Sequence, residues 1–360
     1  MYGFTPNEEQ SMLVATVNRY ARNDLRPAAH DADEDCQLPA KLVSKGWELG
    51  VVQASVPEAF GGFGERSVLT SVLAAEELSF GDLAGALAVL APSLFITPLL
   101  LAGSDEQKKQ YIPAVIAADW KPYTAALLEP SFDFDANDLK TTATPVAAGF
   151  VLDGAKTCVP YAAEAETLIV YARLDGATQA FVVPRKAAGL SVSERIKLMS
   201  LNALPLYDVS LQGVHVSQAN KLAGDFGPLL AAMRVTNAAL ALGVARAAFE
   251  YARDYARERE AFGVKIAQKQ AIAFMLAEMA TEIEAMRLLT WEAAWKLDTG
   301  KEDAATAAYL AATGAADMAM MVTDRAVQIL GGHGYIRDHP VERWMRNGRG
   351  FASFTGLAIV

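Results

Sequence analysis

Cysteine and histidine are scarce in this chain, which has two cysteines and four histidines among 360 residues. Cys36 and Cys158 make no disulfide framework and lack metal-ligand spacing. We expect no cluster among His30, His215, His333 and His339, since the last two lie among Gly and Pro and not on one helix face, and therefore no structural metal. The first ten residues also lack the basic and apolar regions of a signal peptide, so we expect a cytoplasmic protein.

An excess of positive charge is also absent, since the formal net charge is −10. This balance argues against binding to nucleic acid or to anionic membrane surfaces. Residues 83–103 carry no charge and approach the length of a membrane span, but Pro92 and Pro98 interrupt them. We therefore predict two short buried helices broken at the prolines, and no membrane span.

The hydrophobic pattern changes twice along the chain and predicts an α+β protein in three segments. Residues 1–118 read as a helical domain. Residues 119–224 contain short apolar or alternating runs separated by turn residues, which predicts a β domain. Long helical periodicity returns in residues 225–360.

Two dipeptides within the β segment have the composition of hairpin turns. Asp153-Gly154 and Asp175-Gly176 each lie between runs that are rich in strand-forming residues. We predict a tight hairpin at both places.

Several motifs follow one another in a fixed order along the chain. They are Pro57–Gly64, Glu129-Pro130, Gly154–Lys156, Arg257–Gly263 with Gln270, Ala326–Tyr335 and Pro340–Arg343. Each is weak alone, but in this order and spacing the set resembles the acyl-CoA dehydrogenases, which are flavoenzymes. The resemblance covers essentially the whole chain. It implies an N-terminal helical domain, a middle β-barrel or sandwich domain, a C-terminal four-helix bundle, and FAD as cofactor.

The reaction of that family needs a carboxylate base, which removes the α proton of an acyl thioester while hydride passes to the flavin. The resemblance implies two alternative places for this base, which align with Thr355 and Met233 here. Neither side chain accepts such a proton near neutral pH, and residues 348–360 contain no Asp or Glu. The resemblance also implies that Arg234 contacts substrate; the alternative is a surface ion pair.

Four positions that face the flavin ring or the ligand in the family carry unusual residues here. Leu128 and Phe134 replace hydroxyl residues, and Cys158 and Pro160 lie on the second ring-facing strand. Proline has no backbone N–H to offer. All four changes remove hydrogen-bond donors, which predicts that this chain does not hold a flavin ring on its own β domain in the usual way.

The residues that a subunit of this family contributes to the flavin of its neighbour are kept. The resemblance assigns pyrophosphate and adenosine contacts to Arg259, Phe262, Gln270, Gln328, Gly331 and Gly332. Arginine suits a diphosphate, and glycine lets the backbone approach a cofactor closely. The alternative is that these are packing residues, with Arg259 paired to Glu258 or Glu260.

The chain thus lacks its own base and ring contacts but keeps the residues for a neighbour's cofactor. In this it resembles the subunit without a base in heteromeric α₂β₂ acyl-CoA dehydrogenases, some of which shorten steroid side chains. Such a chain would complete the FAD site of a catalytic paralogue, with an acyl-CoA thioester as substrate and electron-transfer flavoprotein as a further partner. Two alternatives stay open. One is an active flavin enzyme with altered chemistry, such as a monooxygenase or a dehydrogenase with a different base. The other is a protein that binds acyl-CoA without redox chemistry.

Overall fold

The computed structural model describes residues 5–117 and 119–360, and its order of helices, sheet and helices confirms the predicted α+β class. Residues 1–4 and residue 118, at the two limits of the predicted first domain, lie outside the described residues. A π-helical turn over Ala21–Leu25 joins the first two helices. The helices of the first segment are α1 (Glu8–Tyr20), α2 (Arg26–Glu34), α3 (Ala40–Trp47), α4 (Val68–Gly81), α5 (Leu83–Leu90), α6 (Ser93–Ala102) and α7 (Asp105–Val115).

The uncharged segment forms two buried helices, α5 and α6, as predicted. Pro92 precedes α6, and the two helix axes bend by 49° at this break. Pro98 breaks nothing, because it lies inside α6. Asp82 begins α5 by accepting a hydrogen bond from the backbone N–H of Gly85 at 2.8 Å, which is an ordinary N-terminal cap.

The middle segment forms one mixed sheet of seven strands. The strands pair in the order β1-β4-β2-β3-β7-β6, and β5 pairs with β4 outside this path. β1 runs parallel to β4, whereas β3 pairs antiparallel with β7 along most of its length. The strands are β1 (Thr124–Ala126), β2 (Thr142–Val146), β3 (Gly149–Pro160), β4 (Thr167–Leu174), β5 (Ala177–Pro184), β6 (Leu190–Arg195) and β7 (Leu206–Ser217).

The two predicted hairpin turns have different outcomes. Asp175-Gly176 joins β4 to β5, and both residues have positive φ, as a two-residue hairpin loop requires. The prediction at Asp153-Gly154 was wrong, because β3 continues through both residues. The register with β7 shifts between Leu152 and Gly154, so the glycine belongs to a β-bulge.

Alternation along the strands divides the sheet between two cores. On β4, Leu168 and Val170 point into a core that the sheet encloses, whereas Ile169 and Tyr171 join the core formed with the helices. Successive side chains of a strand point to opposite faces, so β4 is apolar on both faces and is held between two layers. The β domain is thereby fixed against the helices that carry the rest of the site.

The last segment contains four helices and a short hairpin. α8 (Phe226–Glu258) is long and apolar enough to cross a bilayer, but 89% of its most apolar 18-residue window is buried inside the protein. It is the central core helix. A hairpin of β8 (Glu260–Ala261) and β9 (Val264–Lys265) follows, and then come α9 (Gln270–Asp298), α10 (Ala304–Leu330) and α11 (Val341–Gly348).

The crossing of α4 and α8 ties the first segment to the last. A Cβ atom at Gly243 would lie 2.0 Å from Oγ of Ser79, so the close approach requires glycine. Nearby, Arg246 forms ion pairs with Glu76 at 2.9 Å and Glu77 at 2.6 Å.

The last residue of α9 holds the first turn of α4. Oδ1 of Asp298 accepts a hydrogen bond from the backbone N–H of Val68 at 2.7 Å, and Oδ2 accepts one from that of Leu69 at 3.0 Å. Oδ2 also accepts a hydrogen bond from the Ser67 hydroxyl. An acid at a helix N-terminus is stabilising, so the two segments share a helix cap.

Candidate active site

A pocket of about 350 Å³ lies where the β domain, α8, α10 and the segment after α11 meet. It brings together four positions that the sequence assigned to substrate or cofactor: Leu128, Phe134, Arg234 and Thr355. Its other lining residues are Asp135, Ala136, Leu230, Asn237, Tyr309, Ala312, Thr313, Ala316, Asp317, Phe351, Ala352 and Ser353. This convergence makes the pocket the candidate substrate site.

Arg234 extends from α8 into this pocket and is half-buried. Its guanidinium lies over the ring of Tyr309, 5.0 Å from the centroid, which is a cation–π distance. Burial lowers the pKa of Arg234, and the charge of Asp135 partly opposes this effect. Within residues 5–117 and 119–360 the side chain has no hydrogen bond or ion pair, so the surface ion pair considered from the sequence is not formed.

The two places assigned to the base differ in position. Thr355 lines the pocket and is half-buried. Met233 is fully buried in the helical core and does not line the pocket. Only one of the two places therefore faces the candidate substrate site in this chain.

Two carboxylates that the sequence reasoning overlooked also line the pocket, Asp135 and Asp317. Asp135 already has a local role, since its Oδ1 accepts a hydrogen bond from the backbone N–H of Asn137 at 2.9 Å. Asp317 is exposed and lies on the same face of α10 as Tyr309 and Thr313, at intervals of four residues. That spacing could be read from the sequence, but only the packing of α10 against α8 brings this face to the pocket.

A buried ion pair holds the β-domain side of the pocket. Oε1 of Glu129 lies 2.8 Å from Nζ of Lys156, and both side chains are almost fully buried. The same carboxylate accepts hydrogen bonds from the backbone N–H groups of Lys140 at 2.7 Å and Thr141 at 2.9 Å. Glu129 therefore fixes both ends of the loop that carries Phe134 into the pocket.

The ion pair is charged at neutral pH. Burial lowers the pKa of Lys156 to about 8, although Glu129 opposes this shift. Burial works against the charged form of Glu129 as well, but Lys156 and the hydrogen bonds to Thr141 and Lys140 outweigh it and lower the pKa of Glu129. Both groups hence keep their charges around pH 7.

The second strand that the resemblance assigned to the flavin ring is β3, which ends with Cys158, Val159 and Pro160. Cys158 is half-buried with a φ of 53°, an uncommon backbone conformation for a residue with a side chain, and burial raises the pKa of its thiol. Pro160 is buried and paired in register with Leu206. Cys158 supplies one weak S–H donor, and Pro160 supplies no backbone N–H.

All six residues assigned to a neighbour's cofactor are exposed: Arg259, Phe262, Gln270, Gln328, Gly331 and Gly332. Phe262 is 94% exposed at the tip of the β8–β9 hairpin, with a φ of 55°. Arg259 forms no ion pair among the described residues, and Glu260 pairs with Lys265 instead. Packing within this chain does not account for the side chains of Arg259 and Phe262, whereas Gly331 ends α10 with a φ of 60° and so has a structural role of its own.

Tyr255 of α8 holds together the two parts of this exposed set, the glycine loop and the hairpin. The Tyr255 hydroxyl is 2.9 Å from Nδ1 of His333, which directly follows Gly331-Gly332. The carbonyl of Tyr255 also accepts the hydrogen bond of the Arg259 N–H at 2.8 Å. One tyrosine thereby links the glycine loop to the residue that begins the hairpin.

Of the four histidines, from which we expected no cluster, two are in contact, but among residues 5–117 and 119–360 they belong to no group of three or more side chains that could hold a metal ion. The rings of His333 and His339 stack with centroids 5.4 Å apart. The Tyr251 hydroxyl lies 2.7 Å from Nδ1 of His339. Their spacing gave no sign of this contact, because the loop between α10 and α11 folds back on α8.

Three family models match the chain in sequence. The C-terminal, N-terminal and middle domains of acyl-CoA dehydrogenase match residues 227–358, 7–119 and 124–214, respectively. The chain belongs to the acyl-CoA dehydrogenase family. It is therefore an oxidoreductase of a family of flavoproteins whose cofactor is FAD.

Similar members of the acyl-CoA dehydrogenase family match over nearly the full length of the chain. The 3-(aryl)acrylate reductase of Clostridium sporogenes is 34% identical, and the match covers 98% of this chain and 96% of the relative. The Caffeyl-CoA reductase-Etf complex subunit CarC of Acetobacterium woodii is 31% identical over 98% of this chain and 96% of its own. The butyryl-CoA dehydrogenase structure from Megasphaera elsdenii has a TM-score of 0.89 at 29% identity, covering 99% of this chain and 96% of that one.

The residues of this member of the acyl-CoA dehydrogenase family fit FAD unequally. The exposed arginine, glutamines and glycines have the chemistry to bind a diphosphate and an adenosine. On the chain's own β domain, Leu128 and Pro160 leave the ring-facing edge with few side-chain donors. The exposed residues therefore suit FAD, whereas the part of the β domain that carries Leu128 and Pro160 suits a flavin ring poorly.

Proposed function

We propose that this chain is the subunit of a heteromeric acyl-CoA dehydrogenase that completes the FAD site of a catalytic paralogue. One observation carries the proposal: all six residues assigned to a neighbour's cofactor are exposed, and among them Phe262 places a large apolar side chain, 94% exposed, at the tip of the β8–β9 hairpin. An aromatic ring this exposed adds little to the chain's own core, which suggests a role in contact with another molecule.

The remaining assignments of this proposal follow the same asymmetry. The chain's own site lacks an acid at Thr355 and Met233, and Arg234 is left to bind the thioester of an acyl-CoA. We further propose electron-transfer flavoprotein as electron acceptor, which is supported by the similarity to a protein named as a subunit of a reductase-Etf complex. Of the acyl groups considered from the sequence, we propose a fatty acyl group, as in β-oxidation, rather than a steroid side chain.

The test is the ratio of FAD to protein with and without a paralogous acyl-CoA dehydrogenase from the same source, produced together with this chain. We expect FAD and turnover in the complex, and little FAD in this chain alone. Arg259→Ala removes a charged contact to the diphosphate and should weaken FAD binding in the complex about ten- to a hundredfold.

Arg253→Ala is the matched control. Arg253 is an arginine near the same end of α8, but it already pairs with Asp254 at 2.8 Å. Its loss should leave the affinity for FAD unchanged. One FAD per chain together with turnover in the isolated protein would sink the proposal.

A second candidate is an active dehydrogenase whose base has moved. It is favoured by Asp317, an exposed carboxylate without an ion pair among the described residues, in the same pocket as Arg234. If the isolated chain turns over acyl-CoA, Asp317→Asn should lower kcat by several orders of magnitude. Asp324→Asn, an exposed acid on the same helix outside this pocket, should not.

A further inference from the structure

The candidate substrate pocket ends where α8 faces α5. Asn237 and Phe351 line its inner end, and on the far side of these two residues lies an apolar region. That region holds no space that a water molecule could enter. Its lining residues are Leu83, Leu87, Asn237, Leu240, Phe351, Phe354, Leu357 and Ala358.

Two aromatic rings fill this inner region, and both are held in place. Phe354 packs edge-on against Phe351, with ring centroids 5.5 Å apart. Its ring lies directly on Gly350, since a Cβ atom there would come within 1.9 Å of Cζ of Phe354. Nδ2 of Asn237 donates a hydrogen bond to the carbonyl of Phe351 at 2.8 Å, which fixes this segment to α8.

The pocket has a polar side and an apolar side. Tyr309, Thr313 and Asp317 of α10 line the outer side, whereas leucines of α5 and α8 lie beyond the inner end. A CoA thioester would place its polar part outward and its acyl chain toward the leucines. A long acyl chain would therefore meet the two rings.

We propose that Phe351 and Phe354 restrict this pocket to thioesters with short acyl groups. This inference rests on the proposed function, in which the pocket holds an acyl-CoA thioester. Further methylene groups have no free volume to enter, and forcing them into a filled core displaces side chains from their preferred rotamers. The segment after α11, where the family's base would lie, acts here as a steric limit.

The experiment measures binding of butyryl-CoA, octanoyl-CoA and free CoA to the full chain by calorimetry. Each newly buried methylene is worth roughly fourfold in affinity, so an open pocket would favour octanoyl-CoA strongly. We expect the wild-type chain to bind octanoyl-CoA no tighter than butyryl-CoA. Phe354→Ala and, separately, Phe351→Ala should raise the ratio of octanoyl to butyryl affinity about tenfold or more.

Phe63→Ala is the control, because Phe63 is an exposed phenylalanine that lines neither region. Its affinity ratio should stay at the wild-type value. A wild-type preference for octanoyl-CoA, or an unchanged ratio in both variants while butyryl-CoA binds, would overturn the steric limit alone. If neither thioester binds any of these proteins more tightly than free CoA, the proposed thioester site fails, and the inference fails with it.

Discussion

Removal of the Glu129 carboxylate should destabilise the protein more than any exposed substitution nearby. In Glu129→Ala, Nζ of Lys156 keeps only the carbonyl of Leu127, at 3.1 Å, as a partner. Breaking one side of a buried ion pair costs about 3–5 kcal/mol. The N–H of buried Thr141 also loses its acceptor, which adds about 1–2 kcal/mol. The expected loss of roughly 5 kcal/mol approaches the whole stability of many domains.

Urea unfolding followed by circular dichroism measures this loss. Glu129→Gln with Lys156→Met removes both charges at similar volume and should recover most of the stability. Asp133→Ala breaks the exposed ion pair with Lys140 in the same loop, and its unfolding midpoint should match the wild type. A shift for Glu129→Ala no larger than that of Asp133→Ala would refute the role given to the buried pair.

Three further results are expected. Arg234→Ala should weaken the binding of butyryl-CoA about tenfold in calorimetry, because the pocket loses an unpaired guanidinium. Arg253→Ala should leave this affinity unchanged. Equal affinities of the two variants would contradict the role of Arg234. Gly243→Ala should lower the free energy of unfolding in urea by about 1–3 kcal/mol, because its Cβ would overlap Ser79. An unchanged unfolding midpoint would show that α4 and α8 can move apart without cost. The folded pKa of Glu129 is lowered from its usual value of 4.5, so its contribution is present above that pH and is lost as the pH falls further. Wild type and Glu129→Gln should therefore converge in acid, and a difference that persists there would argue against titration of this group.

Patterns with a local cause could be predicted from the sequence. The break at Pro92 follows from proline's missing N–H, and the hairpin at Asp175-Gly176 follows from two residues that tolerate positive φ. Asp153-Gly154 has the same composition, but pairing with β7 continues through it and absorbs the extra residue as a bulge. Pairing with β7 therefore outweighed the local preference of Asp153-Gly154 for a turn, and a single sequence does not reveal which strands will pair.

The site was predictable in part, for a similar reason. Arg234 and Thr355 were placed by motifs, and they do line one pocket with Leu128 and Phe134. Asp317 was missed because no motif marks it, and its position depends on how α10 packs against α8. Contacts between helices distant in sequence decide such cases, and helical spacing alone leaves several faces possible.

The cap that Asp298 provides to α4 has a consequence for how this protein unfolds. A carboxylate from the end of α9 satisfies the first turn of a helix more than two hundred residues earlier in the chain. Arg246 and Gly243 join the same two segments along α4. The three regions that the family models match should therefore fold together and not independently. Cutting the chain between them would remove the Asp298 carboxylate from the N–H groups of Val68 and Leu69, although Ser67 would still cap α4, and it would expose one face of α8. Fragments should therefore aggregate, and the intact chain should melt in a single cooperative transition.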